Sequence, residues 1–187
     1  MIAMRRFMSV FAALALVSGL QVFSSQAMGQ KVAVAEIKPA KAATTRPSEN
    51  KVSGTVTFTQ SPDGKVKVAA HIMGLAPNST HGFHIHASGD MSADDLLSTG
   101  GHFNPDQHIH GGPTTSPVHA GDLGNIKADA TGMAMYEITV SDITLGGPKN
   151  DVVGKAVIIH SAPDDLKSQP TGNAGSRIAG GVITMKP

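Results

Sequence analysis

Nine histidines in a 187-residue chain without a single cysteine are the residues whose chemistry stands out. His84-Ile85-His86 sets two imidazoles two residues apart. On a strand such residues share a face, so both rings point one way while Phe83 and Ile85 turn into the core. A pair so placed chelates a metal with little extra ordering of the backbone, although two surface histidines would leave the same pattern. A second group, His102, His110, His119 and Asp122, spans 21 residues among Gly100, Gly101, Pro105, Gly111, Gly112, Pro113 and Gly121. Three imidazoles and a carboxylate suit tetrahedral zinc, and the glycines let a loop fold tightly round an ion; a polar surface loop with scattered histidines is the competing reading. His160 ends a β-like stretch. With His84 and His86 across a sheet it becomes a third nitrogen donor, and His102 supplies a fourth. Four nitrogens with an open axial side suit Cu(II), and zinc fits the same set.

Composition narrows what else the chain does. The absence of cysteine excludes disulfides, thiolate metal sites, a cysteine nucleophile and a lipid-anchored cysteine. A formal net charge of +1 gives no reason to expect nucleic acid or an anionic membrane as partner. With 16% charged and 40% hydrophobic residues, the chain is neither a highly charged disordered tail nor a membrane bundle. Its length suits one domain with appendages.

The elements that must position these side chains follow a leader. Arg5 and Arg6 precede a mostly apolar run, Phe7 to Leu20, and then the small and polar Ser24 to Gly29. This reads as a secretory signal peptide over residues 1–29, removed on export, and so as a periplasmic or extracellular protein with no stable membrane insertion afterwards; an uncleaved N-terminal anchor is the competing reading. Without the leader, 13 basic residues face 14 acidic ones, a net charge of −1. Residues 30–50 supply a first strand (Gln30 to Pro39) and a linker (Ala40 to Asn50) to the domain of residues 51–187. Val52, Gly54, Val56 and Phe58 alternate with Ser53, Thr55, Thr57 and Thr59. Ser61-Pro62-Asp63-Gly64 is a turn, and Val66 to Ile72 alternates again, predicting a hairpin. Thr80 to Ala87 is another strand. Leu123 to Asp129 and Gly132 to Val140 predict a second hairpin, and strands are expected over Val152 to His160 and Arg177 to Met185. Two stretches, Ser88 to Ala120 and Ser161 to Gly175, lack any sustained period, and loops of that length are normally functional. About eight strands and two long loops predict an all-β, eight-stranded antiparallel Greek-key barrel or immunoglobulin-like sandwich.

Six short stretches extend this reading: HGFHIH (His81 to His86), GGHFNP (Gly100 to Pro105), HGGP (His110 to Pro113), HAGDLGN (His119 to Asn125), the strand ending in His160 followed by DDL (Asp164 to Leu166), and TGNAGSR (Thr171 to Arg177). In these, and in their order, the chain resembles the copper/zinc superoxide dismutases from about Val52 to Ile183. The resemblance implies one Cu2+ held by His84, His86, His102 and His160, and one Zn2+ held by His102, His110, His119 and Asp122, with His102 shared between them. It implies Asp164 as a carboxylate joining His84 to His110, and Arg177 beside the open position of copper as the guide for superoxide. The implied reaction is disproportionation of superoxide to O2 and hydrogen peroxide by Cu(II)/Cu(I) cycling, with Arg177 and His102 as the catalytic side chains. A non-catalytic copper/zinc-binding protein of the cell envelope is the alternative on the same scaffold. A homodimer is common in the family, and no contact patch for one is visible in this sequence.

Two departures matter. Leu96 and Gly180 stand where the family carries its disulfide cysteines, so Leu96 and Leu97 are expected to pack beneath the long loop while metal binding takes over part of its ordering. The second loop is also short: only Lys167, Ser168, Gln169 and Pro170 separate Leu166 from Thr171, which leaves Arg177 as the main local attraction and Lys167 as a weaker one. His71 is expected on a solvated face, His81 as a structural hydrogen-bonding partner, His108 away from any metal, and Met73, Met91, Met133, Met135 and Met185 as filler. Stripping the metals with a chelator should lower the melting temperature markedly, because no disulfide holds the loop in their absence. Scanning calorimetry checks this, and a chelator-insensitive transition contradicts it.

Overall fold

The computed structural model describes residues 29–45 and 51–187. The leader expected over residues 1–29 lies outside them apart from Gly29, as does the 46–50 part of the linker. Nine strands follow one another: β1 (Lys31–Pro39), β2 (Ser53–Gln60), β3 (Val66–Met73), β4 (Thr80–His86), β5 (Asp122–Lys127), β6 (Ala134–Val140), β7 (Ala156–His160), β8 (Arg177–Val182) and the two-residue β9 (Thr184–Met185). Short 3-10 turns occur at Lys41–Thr45, within the expected linker, and at Leu97–Thr99, within the long loop. No helix among the described residues is long and apolar enough to cross a membrane.

All strand pairs are antiparallel, in the order β5-β4-β7-β8-β1-β2-β3-β6, with β9 added beside β1. The expected eight-stranded Greek-key barrel is what forms. β1 couples its two halves: Lys31 to Ile37 pair with β2, and then Lys38 and Pro39 pair with Gly180 and Ala179 of β8. Period-two alternation drives this arrangement. In β3 the buried Val66, Val68, Ala70 and Ile72 alternate with more exposed neighbours, and in β2 Val56 and Phe58 face the same interior. With few aromatics available, the core is built from Ile126, Ile143, Leu145, Val152, Ile158, Ile159, Ile178 and Ile183 around Phe58 and Phe83.

Three sequence expectations change. β5 and β6 do not pair as a hairpin: β5 joins β4 and β6 joins β3, so these consecutive strands become the two edges of the sheet. Asp129 turns the chain between them, its Oδ1 accepting from the N–H groups of Thr131 and Met133, with Gly132 at φ +84°. The seventh strand begins at Ala156 rather than Val152, because Gly154 at φ +81° makes a turn that Lys155 closes by donating to the Val152 carbonyl. Leu96 is buried as expected, but Leu97 is 63% exposed. Leu96 takes a left-handed conformation (φ 62°) at the head of the Leu97–Thr99 turn, which directs the next side chain outward.

The seam between the edges β5 and β6 is closed by a side chain. The Tyr136 hydroxyl donates to the Leu123 carbonyl at 2.5 Å, and its ring meets Phe83 edge-on at 5.7 Å. Tyr136→Phe should therefore cost about 1 kcal/mol in urea unfolding and speed hydrogen exchange at Leu123 and its neighbours. Unchanged exchange on β5 would show that the seam is held by packing alone.

Candidate metal centre

β4 from His81 onward and the whole of β7 are buried on both faces. One face belongs to the barrel core, through Phe83 and Ile85. The other is roofed by the two long loops, and there His84 and His86 point away from the core. The first loop is sewn back onto β4 by backbone bonds: Phe103 N–H to Ile85 O (2.8 Å), Ile85 N–H to Gly121 O (2.9 Å) and Ala87 N–H to Gly101 O (2.9 Å). An isolated bridge sets His102 beside His86, and the β4–β5 ladder sets Asp122 beside His84. Gly121 has no room for a side chain, since a Cβ there would run into the Ile85 carbonyl and the Phe103 amide.

This folding gathers the sequence-derived residues into two groups. His84, His86, His102 and His160 form one; His102, His110, His119 and Asp122 form the other. In each group all four donor atoms lie within 4.8 Å of one another, and all seven side chains are buried. His102 belongs to both. Its Nδ1 lies 2.8 Å from Asp122 Oδ1, while its Nε2 has no hydrogen-bond partner.

The remaining hydrogen bonds decide which nitrogen each ring turns inward. Asp164, buried between the groups, takes His84 Nε2 at 2.8 Å on one oxygen and His110 Nε2 at 2.9 Å on the other. That leaves Nδ1 of both rings unpartnered. His86 Nδ1 donates to the Gly100 carbonyl at 2.8 Å, so its Nε2 faces His160 Nε2 at 3.3 Å. In the other group Nδ1 of His110 and His119 lies 3.1 and 3.3 Å from the Asp122 oxygens without hydrogen-bond alignment. Buried polar atoms are almost always satisfied, so four orphaned imidazole nitrogens converging on two points are what cations would relieve. The composition fits: nitrogen donors alone for copper, three nitrogens and a carboxylate for zinc.

Electrostatics prepare the donors for a cation. Burial drives His84 well below the ordinary histidine range, with the neighbouring imidazoles of His102 and His160 adding to it. Burial, then His160 and the Arg177 guanidinium, pushes His86 down to about 2. Burial also brings His160 down to about 4 and lowers His119. For Asp122 burial acts upward, but hydrogen bonds from His102 and from the Gly111 amide, with the charge of His102 and His110, hold it below the usual carboxylate range. Burial thus favours neutral lone pairs on His84, His86, His119 and His160 beside one anionic carboxylate.

Arg177, at the start of β8, is pinned to the first loop. Its Nη1 donates to the Leu96 carbonyl and to Thr99 Oγ1 (3.0 Å), and its Nη2 donates to the Gly100 carbonyl (2.7 Å). Leu96 and Gly180, the positions without cysteines, line one surface depression with Met91. An arginine fork and apolar contact thus occupy the region where a covalent tether is missing. His81 is structural as expected, bonded to the His160 carbonyl and Ser79. His108 is exposed, contacts the Val118 carbonyl and joins neither group. Lys167 is exposed in the second loop.

Several contributors escaped the sequence reading. Thr99, fully buried, bonds both Arg177 and His86 Nδ1 (3.2 Å). Gln169 brackets the His110 backbone with its amide, accepting at 2.8 Å and donating at 2.9 Å. Asn125 brackets the backbone of Asp164 in the same way. Gly172, at φ +65°, lies so close to Asp164 and His110 that a Cβ would collide with both. Gly172 and Asn125 carried a hint in the sequence, through the TGNAGSR and HAGDLGN stretches.

Residues 52–183 match the family described as copper/zinc superoxide dismutase. A solved structure, that of the clock protein EA4, superposes with a TM-score of 0.71 at 40% identity, covering 82% of this chain and 93% of that one.

The depressed histidines fix a pH dependence for the metal-free protein. In the unfolded chain His86 and His160 titrate at ~6.5, and in the fold at about 2 and about 4. The unfolded state therefore binds more protons in between. Their contribution is whole above about pH 6.5 and is lost progressively as pH falls, down to about 4 for His160 and about 2 for His86. Urea midpoints of chelated protein should drop steadily from pH 7 to pH 5, above the range where carboxylates protonate. A flat profile would contradict the burial assigned to these rings.

Proposed function

Because the chain belongs to the copper/zinc superoxide dismutase family, we propose that it disproportionates superoxide, turning two superoxide ions and two protons into O2 and hydrogen peroxide. The observation that carries this is the position of His102, one imidazole common to a four-nitrogen group and a three-nitrogen, one-carboxylate group. His84, His86, His102 and His160 would hold copper, and His102, His110, His119 and Asp122 would hold zinc. When bound, copper would supply one-electron redox exchange and zinc the charge of a Lewis acid that does not itself change oxidation state.

The residues of the chain do the rest. Asp164 orients His84 and His110 together, so a change at one group is felt at the other. His102 Nε2 is the atom able to take up and return a proton while Nδ1 stays held at the Asp122 side. Arg177 offers a fixed positive charge to a small anion, and its fork, tied to the Leu96 and Gly100 carbonyls, costs little reordering on encounter. His86, His102 and His160 keep only 1%, 7% and 4% of their surface exposed, which suits a diatomic ligand. Superoxide dismutases are a familiar example of electrostatic steering, in which a cleft of one sign of charge raises the encounter rate of its substrate; Arg177 is the candidate for it here. The leader pattern of residues 1–29 supports a periplasmic or extracellular location for this activity.

A second reading has one observation in its favour: a relative at 40% identity is named a clock protein. A copper/zinc-binding protein without turnover would keep both groups and lack the activity. Superoxide decay by the copper- and zinc-loaded protein separates the two. Turnover is expected, abolished in His160→Ala. Arg177→Glu should lower it on the order of tenfold or more through the encounter rate, whereas Lys167→Ala should change mainly the salt dependence. Metal loading without copper-dependent decay would establish the second reading instead.

A further inference from the structure

Outside the leader the chain has five methionines, and two of them, Met73 and Met135, take outward positions at one end of the β3–β6 pair, with Met133 beside them against His71. The outer face of an antiparallel sheet is ordinarily polar. Lys67 and Glu137 obey this, joined at 3.1 Å across the same pair of strands. Met73 and Met135 do not, being 48% and 73% exposed.

The register explains the gathering. His71 pairs with Met135, and Ile72 pairs with Ala134. Continuing this register one step, past the last pair of the ladder, puts Met73 opposite Met133, the residue just before β6. Side chains two apart share a face, so His71, Met73, Met133 and Met135 occupy a two-by-two block, with directly opposed Cβ atoms about 4.5–5.5 Å apart. One diagonal of the block is already in contact, His71 Nε2 lying 3.1 Å from Met133 Sδ.

Thioether sulfur together with imidazole nitrogen is the donor set that selects Cu(I) over harder cations. Hard ions would want oxygen, and the nearby carboxylate, Glu137, is paired with Lys67. We propose that His71, Met73, Met133 and Met135 form a Cu(I)-binding site on the outer face of the barrel. None of the four belongs to either buried group, so the site stands whether or not those groups turn over superoxide. Its exposure makes the ion exchangeable with solution, unlike an ion enclosed under the loops.

The chain has no cysteine and the buried groups no sulfur donor, so copper–sulfur scattering can arise only from methionine. The protein, its buried groups loaded with copper and zinc beforehand, is titrated with Cu(I) without oxygen in competition with bicinchoninate. One further equivalent should bind with copper–sulfur scattering in X-ray absorption, and the methyl resonances of Met73, Met133 and Met135 should shift. The M73L/M133L/M135L variant should lose both the equivalent and the scattering. His71→Gln should weaken binding about tenfold and keep the sulfur signal. No sulfur-ligated equivalent in the wild-type protein overturns the proposal. So does equal binding by the triple-leucine variant, or a methyl shift confined to Met91 and Met185, which needs no variant to fold.

Discussion

Four imidazole nitrogens buried without a hydrogen-bond partner, on His84, His102, His110 and His119, constrain everything around them. A neutral ring excluded from water and left unpaired is costly, so the surrounding structure must hold these atoms where cations can offset that cost. β4 and β7 provide the floor, with the apolar core behind them. The loops provide the roof, and Asp164 and Asp122 provide the negative charge. His84 and His110 are each fixed by the other nitrogen, through Asp164, and His86 is fixed likewise through Gly100. The inward nitrogen is thereby chosen before any ion arrives.

The roof has no covalent tie to the barrel. In its place stand the hydrogen bonds from Arg177 to Leu96, Thr99 and Gly100, the backbone bonds that sew residues 101–121 onto β4, and the apolar contact of Leu96. The arginine proposed to attract superoxide therefore also holds the loop that frames the opening. Thr99 links the two roles, since its hydroxyl meets both the guanidinium and His86. Loop order and site geometry become one property of this chain, where a disulfide would have separated them.

Much of the fold is legible from period-two alternation, which says which face of a strand is buried. It does not say which edge a strand pairs with, and so Leu123 to Asp129 and Gly132 to Val140 read as a hairpin although they end up on opposite edges of the sheet. Nor does it register a turn inside an apolar run, as at Gly154. The outer methionines were illegible for a related reason. Met73 and Met133 are 60 positions apart in the numbering of the chain, and only the β3–β6 register makes them neighbours.

The sequence by itself determined the donor types, the spacing of His84 and His86, and the alternation that makes a barrel, because residue chemistry and strand period are local properties. The tertiary structure alone decided which nitrogens turn inward, that Thr99, Gln169 and Asn125 support the two groups, and that Arg177 binds the loop. These depend on contacts between residues as far apart as Leu96 and Arg177, and such contacts exist only after the loops have closed over β4 and β7.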